Sequence, residues 1–274
     1  MMTNRIIVDQ DKCTGCNICS KICPIGVVDP ADENHLPEVK EAKASSCMNC
    51  GHCEVFCPSG ALTLNFALHE KDARTIDPVE ISPEQLEYHL KSRRSVRYFT
   101  SQNVEKEKIE QILDIVRYAA SGMNAQPVEW MVVYDEKEVK RIAALTIDWL
   151  RSLSGGNSPM SAYATGLVAA WEHGADPICC GAPHLLIAHI PQDSPTAPTD
   201  AIIALTHFDT AAPAFGVGTC WAGFVAGAAR MWKPMQEALE LPAGRITGYA
   251  MMLGYPQYKI YGIPRRNPAR IIWR

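Results

Sequence analysis

The sequence predicts an α+β protein in two parts: a small N-terminal domain built around cysteines, then a larger domain with a mixed sheet flanked by helices. Eight of the eleven cysteines in the 274 residues fall within the first 57. The rest of the chain carries more helix signals than strand signals, without the strict alternation of a doubly wound fold. Hydrophobic residues make up 47% and charged residues 20%, which is too apolar for a disordered chain. At 274 residues the chain is near the length at which one core divides into two. The expected boundaries are residues 1–66, a linker at 67–82, and 83–274.

The elements follow in order. Ile6–Val8 and Ala61–Asn65 read as short strands flanking the cysteines. Residues 66–81 have mixed charge and no clear period. Ser82, Pro83 and Gln85 form a helix start, with Ser82 as N-cap, Pro83 at the first helical position and Gln85 completing a capping box. That helix runs to about Lys91. A second spans Glu105–Ala119, with Ile109, Ile112, Leu113 and Val116 on one face. Trp130–Tyr134 is strand-like and Lys137–Leu153 helical. Pro183–Ile190 is a buried-strand candidate. Ala201–Ala212 and Gly223–Leu239 read as helices, the latter interrupted by Pro234, and Thr247–Leu253 as a strand.

Net charge is −4, which argues against a nucleic-acid binder, since that needs a cationic face. Residues 1–65 hold five Lys and Arg against eight Asp and Glu, so the acidity is concentrated there. This suits docking to a basic redox partner, and equally an ordinary solvated surface. Thr210–Ala229 is uncharged and long enough to span a bilayer. Its Pro213, Gly216, Gly218, Gly223 and Gly227, and few large aliphatics, read instead as strand, turn and packed helix. No secretory leader is visible at the start. The expectation is a cytoplasmic protein without a membrane anchor, and cysteines dense in that compartment suggest metal rather than disulfides.

The cysteines form an internal repeat. Cys13, Cys16, Cys19 and Cys23-Pro24 recur with identical spacing as Cys47, Cys50, Cys53 and Cys57-Pro58. This is the pattern of two-cluster bacterial ferredoxins, in which the fourth Cys of each run ligates the other cluster. The resemblance implies two [4Fe-4S] clusters, one held by Cys13, Cys16, Cys19 and Cys57, the other by Cys47, Cys50, Cys53 and Cys23. Paired Cys-x-x-Cys also makes zinc sites, but zinc needs no third Cys in the run. The clusters would pass single electrons; a structural role, stapling a small fold, is the alternative.

Four patterns mark the larger domain. Ser92-Arg93-Arg94-Ser95-Val96-Arg97 places three guanidinium groups and a hydroxyl within five residues, a set able to bind a phosphate. Ser121-Gly122-Met123-Asn124-Ala125-Gln126-Pro127 lies at a helix end. Gly216-Val217-Gly218-Thr219-Cys220-Trp221-Ala222-Gly223 offers small residues that let backbone approach a flat ring. Leu253-Gly254-Tyr255-Pro256 is followed by Pro264-Arg265-Arg266.

Together the four patterns resemble the nitroreductase family of flavin mononucleotide (FMN) proteins, over residues 84–274. The resemblance implies that Arg93, Arg94, Ser95 and Arg97 hold the phosphate and reach the flavin edge. It implies that Ser121, Asn124 and Gln126 reach the flavin of the partner subunit in a homodimer with FMN at the interface. Trp221, Ala222 and Gly223 would lie against the ring, with a Gly223 N–H donating to flavin N5, and Arg265 and Arg266 near the phosphate. Several relatives place the second basic residue where this chain has Asn267.

The combined expectation is an iron–sulfur flavoprotein. Electrons from an external donor, such as a redox protein, pass through the clusters to FMN and on to a nitroaromatic, quinone or enone. Reduction of another unsaturated or halogenated metabolite, and a non-enzymatic carrier or redox sensor, are the other classes. No side chain stands out as an obligatory acid. Cys179 and Cys180 read as core residues, and Trp171, Glu172 and His173 as candidate pocket residues.

Overall fold

The computed structural model describes residues 6–66, 79–154 and 159–274. Most of the expected linker 67–82 lies outside the described residues. The chain divides into two compact units, Met1–Glu80 with Met123–Ala125, and Ile81–Gly122 with Gln126–Arg274.

In the first unit, strand β1 (Ile6–Val8) pairs antiparallel with β2 (Leu62–Leu64), Ile6 opposite Leu64 and Val8 opposite Leu62. Alternation sends Ile6, Leu62 and Leu64 inward and leaves Ile7 and Thr63 exposed. The core they share with Val27, Val28, Val39 and Ala44 also contains Cys19 and Cys53. The cysteine repeat is a repeat of backbone as well as sequence. Helix α1 (Ile18–Ile22) starts after Asn17, and α3 (His52–Val55) after Gly51; both preceding residues are left-handed, at φ 59° and 79°. Two residues earlier, Gly15 and Asn49 are left-handed as well, at φ 66° and 50°. Glycine and asparagine thus exchange places between the halves, being the two residues that adopt this conformation at least cost. Each Cys-Pro pair then enters a turn closed by glycine, with Gly26 N–H bonded to the Cys23 carbonyl and Gly60 N–H to that of Cys57. The Asn17 side chain bonds both ways with the Ala31 backbone, at 2.7 and 3.1 Å. A short helix α2 (Glu41–Ala44) carries Lys43, which with Lys40 pairs with Asp29.

The second unit is built on a sheet of β3 (Glu129–Val133), β4 (His184–Pro191), β6 (Arg245–Gly254) and β5 (Gly218–Trp221), in that spatial order. All pairings among these strands are antiparallel. The mixed character expected from the sequence rests on one parallel bridge, Ser95 to Thr219. β4 is buried on both faces: Leu185 and Ile187 point into one apolar cluster, Leu186, Ala188 and Ile190 into the other. The first cluster is closed by α6 (Glu136–Leu153), α7 (Pro159–Glu172), α9 (Gly223–Met231) and α10 (Lys233–Leu239). The second is closed by α5 (Lys106–Val116) and α8 (Ala197–Ala211).

Local chemistry sets the helix ends. α4 (Pro83–Ser92) has the capping box read from the sequence: Ser82 Oγ accepts from Gln85 N–H and Gln85 Oε1 from Ser82 N–H. Pro234 divides the expected Gly223–Leu239 helix, because its ring excludes a continuous turn at that point. Trp232 becomes extended, and the Arg230 carbonyl accepts instead from the Gln236 side chain at 3.0 Å. α8 begins four residues before the expected Ala201, since Pro198 suits the first turn of a helix.

Two glycines bring the basic segment onto the sheet. Gly218 and Gly254 face each other across β5 and β6. A Cβ on Gly218 would lie 2.7 Å from Val96 Cγ2, and one on Gly254 would lie 2.7 Å from Pro183 Cδ and 2.8 Å from Phe99. Over them, Val96 N–H bonds to the Thr219 carbonyl and Thr100 N–H to that of Tyr255.

Candidate functional site

The first unit gathers its thiols in two places. Cys13, Cys16, Cys19 and Cys57 line one cavity, and Cys23, Cys47, Cys50 and Cys53 line another. Each takes three cysteines from one half of the repeat and the fourth from the other half. Burial, followed by the charges of Cys47, Cys50 and Cys23, pushes the Cys53 thiol up to about 12. Cys47, Cys50 and Cys23 therefore stand within electrostatic reach of Cys53. Among the described residues, no group of three or more His, Cys, Asp or Glu is drawn tightly enough to hold a single metal ion. Zinc requires four donors about 2.0–2.3 Å from one point.

In the second unit the centre of the basic segment is a residue the sequence did not single out. Asp209, on α8, is 5% exposed. It pairs with Arg93 at 3.2 Å, accepts from Thr219 Oγ1 at 2.5 Å, and accepts from Trp221 Nε1 at 3.1 Å. One buried carboxylate thus ties the arginine motif to β5. A carboxylate in a largely apolar helix was the only sequence signal for it.

Arg94 donates to the carbonyls of Arg93 and Lys91. Burial, then the positive charges of Arg266 and Arg93, lowers its pKa. Lys91, Arg93, Arg94 and Arg266 line one hollow of about 410 Å³. Cations so grouped repel one another until an anion joins them. Arg265 is exposed and does not line the hollow. Ser95 bridges to Thr219, and Arg97 donates to the Ser95 carbonyl at 3.5 Å.

At the end of β5, Trp221 meets Tyr249 edge-on at 5.1 Å. Ala222 is buried, precedes α9, and donates its N–H to the Ala250 carbonyl. Gly223 opens α9 and is exposed. At a helix start its N–H has no acceptor within the helix, and a Cβ there would sit 3.2 Å from the Tyr249 hydroxyl.

Ser121 and Gln126 stand apart from the arginine hollow and line a separate cavity. Gln126 N–H donates to Ser121 Oγ at 3.0 Å. Met123, Asn124 and Gln126 are all left-handed, with φ of 55°, 53° and 47°. Asn124, which groups with the first unit, donates to the carbonyls of Met48 and Asn49. Glu172 and His173 are exposed, one pairing with Arg151 and the other with the Ala169 carbonyl. Cys179 is fully buried and Cys180 half-buried and left-handed.

The family model described as "Nitroreductase family" matches residues 90–255. The chain belongs to the nitroreductase family. The nitroreductase unit follows a 4Fe-4S dicluster domain, whose family model matches residues 12–62. A putative NADH dehydrogenase/NAD(P)H nitroreductase of Archaeoglobus fulgidus is 27% identical over 166 residues, 61% of this chain and 82% of that protein. An uncharacterized ferredoxin of Methanocaldococcus jannaschii is 34% identical over 71 residues, 26% of this chain and 90% of that protein. The crystal structure of a Bacteroides fragilis nitroreductase with bound FMN superposes with a TM-score of 0.58 at 18% identity, covering 70% of this chain and all of that one. Among the described residues no helix is long and apolar enough to cross a membrane.

Proposed function

We propose that this nitroreductase is an FMN-dependent iron–sulfur oxidoreductase, taking electrons from an external donor and delivering them to a nitroaromatic, quinone or enone. The observation that carries the reading is the sorting of eight cysteines into two separate quartets in a chain whose larger unit is a nitroreductase. Cys13, Cys16, Cys19 and Cys57 hold one [4Fe-4S] cluster; Cys47, Cys50, Cys53 and Cys23 hold the other. When bound, the clusters supply one-electron transfer and the flavin two-electron chemistry.

The chain's own residues bind and orient. Arg93, Arg94 and Arg266, with Lys91, neutralise a phosphate dianion, and Asp209 keeps Arg93 in place for it. Arg265 adds long-range charge. Ser95 and Arg97 line the approach beside β5. Trp221, Ala222 and Gly223 lie at the junction of β5 and α9 against the flavin ring, and the Gly223 N–H is a donor held ready by the start of α9. Ser121, Asn124 and Gln126 serve the site of a partner subunit in a homodimer. Exposed apolar side chains near the C-terminal end support that assembly: Tyr261 is 93% exposed, Ile272 83% and Trp273 88%, a surface that a second copy would cover.

The test is an anaerobic single turnover of protein reconstituted with iron, sulfide and FMN. The reduced protein is mixed with a nitroaromatic, and flavin and cluster absorbance are followed at separate wavelengths. Reoxidation led by the flavin band and followed by the cluster band is expected. If neither band changes, nitro reduction is the wrong reaction for this protein.

A further inference from the structure

The two halves of the cysteine repeat differ at one position beside a sulfur. Ser59 and Ile25 each stand two residues after the last cysteine of their run, in the same glycine-closed turn. Ser59 Oγ lies 3.7 Å from Cys57 Sγ, within reach of a hydrogen bond to sulfur. Ile25 has no polar side-chain atom to offer Cys23. A thiolate that ligates a metal carries no proton, so between Ser59 and Cys57 only the hydroxyl can donate.

The surroundings of the two chambers differ in the same sense. The one closed by Cys57 is also lined by Thr14 and Asn17, and its Cys16 is exposed to solvent. The one closed by Cys23 is walled by Ile6, Val27, Val28, Val39 and Leu64, each at most 5% exposed, and none of its four cysteines is exposed. Its Cys47 has Asn49 Oδ1 at 3.8 Å, an oxygen that accepts and gives a thiolate no bond.

We infer that the domain sets its two clusters at different potentials, and that Ser59 raises the potential of the one held by Cys13, Cys16, Cys19 and Cys57. This rests on the iron–sulfur reading above, and four thiols in each chamber are the donor set it requires. Reduction adds one electron to a centre that is already negative; no proton is taken up and no bond is made or broken. A donated hydrogen bond and nearby water favour the more negative state, and apolar walls do not. The first electron from a one-electron donor therefore settles in the chamber of Cys57. The next enters the chamber of Cys23, whose cluster is the stronger reductant. Ser59 acts through Cys57 and is a positioning residue.

The test is anaerobic potentiometry of the full chain reconstituted with iron, sulfide and FMN. Dithionite is added in steps, and electron paramagnetic resonance follows the clusters. His52 also lines the chamber of Cys23, so potentials are read at pH 8, above the range in which histidine ordinarily carries charge. Two one-electron waves are expected. Ser59→Ala lowers the upper wave and leaves the lower one, the ratio of reduced to oxidised cluster at fixed potential falling about three- to tenfold, or about 30–60 mV. Ser59→Thr keeps the hydroxyl and stays near the parent. Ile25→Ser raises the lower wave and narrows the gap. Iron and sulfide analysis reports whether each protein holds both clusters. A single merged wave in the unmodified chain, or an upper wave unmoved by Ser59→Ala, overturns the inference and leaves the clusters standing. If Ser59→Ala does not load, Ile25→Ser decides, since its side chain is exposed; a lower wave that does not rise overturns the inference. An unmodified chain that takes up no iron and sulfide refutes the iron–sulfur reading itself, and this one with it.

Discussion

Replacing Asp209 by Asn tests whether one carboxylate holds the arginine motif to the sheet. The side chain keeps its shape, but one of its oxygens becomes an NH₂ group. Oδ1 serves Thr219, and Oδ2 serves Trp221 and the closer contact to Arg93. Turned toward Trp221 and Arg93, the NH₂ faces two donors; turned toward Thr219, it can donate to the hydroxyl, which then loses the acceptor for its own proton. One unsatisfied buried group costs about 1–3 kcal/mol. The loss of charge leaves Arg93 without its counter-ion; removing one partner of a fully buried pair costs about 3–5 kcal/mol. Arg93 is 28% exposed, so water screens part of that loss, and the total expected is about 2–4 kcal/mol. For a domain of this size each kcal/mol lowers Tm by about 2–4 °C, so a fall of about 4–16 °C is expected in scanning calorimetry. Arg93→Met, made alone and together with Asp209→Asn, isolates the pair itself, with an expected coupling of about 1–2 kcal/mol. If Asp209→Asn melts with the parent chain, or the two substitutions are additive, the carboxylate is not what anchors the motif.

Gly218→Ala places a Cβ 2.7 Å from Val96 and 2.8 Å from Pro256; both neighbours are stiff, so a loss of about 1–3 kcal/mol is expected by denaturant titration. His184 is fully buried, and its Nε2 accepts from Val104 N–H at 3.0 Å, which leaves the proton on Nδ1 facing the Tyr134 carbonyl at 2.8 Å. Burial lowers its pKa from 6.5, against the opposing effect of the Tyr134 bond. The unfolded chain therefore takes up the proton first: His184's contribution is intact above pH 6.5 and is lost as pH falls from there toward the depressed folded value. Melts between neutral and mildly acidic pH measure this, and His184→Phe flattens the dependence. Arg94→Ala and Arg266→Ala each weaken FMN binding about tenfold in fluorescence titrations, while Arg265→Ala has the smaller effect, because only the first two line the hollow.

Much of this fold was legible because local and global signals agree. Ser82 and Gln85 announce a helix start that the backbone carries out, and the short apolar stretch Leu185–Ala188 in β4 fits a strand covered on both sides. The cysteine spacing was equally plain, since thiols set at one interval and then set again at the same interval are what two inorganic clusters demand of a chain. Helix α7 was missed because its apolar residues wrap around it without a face, so no period announces it. Asp209 was missed for a different reason. A carboxylate is assigned to the surface by default, and what makes this one matter is Thr219 and Trp221, which reach it from β5. Arg265 and Arg266 are neighbours that sequence cannot rank; the course of the backbone at Pro264 sends one into the hollow and leaves the other outside.

The exchange of the fourth cysteine has a consequence for assembly. Because Cys57 closes the cavity of Cys13, Cys16 and Cys19, while Cys23 closes that of Cys47, Cys50 and Cys53, neither half of the repeat encloses a site by itself. The two chambers are laced together like a knot with two loops. Drawing back the strand that follows Cys57 opens the first chamber and also removes the partner of β1, which borders the second. The two chambers therefore share their walls, and a disturbance of the chain after Cys57 reaches both.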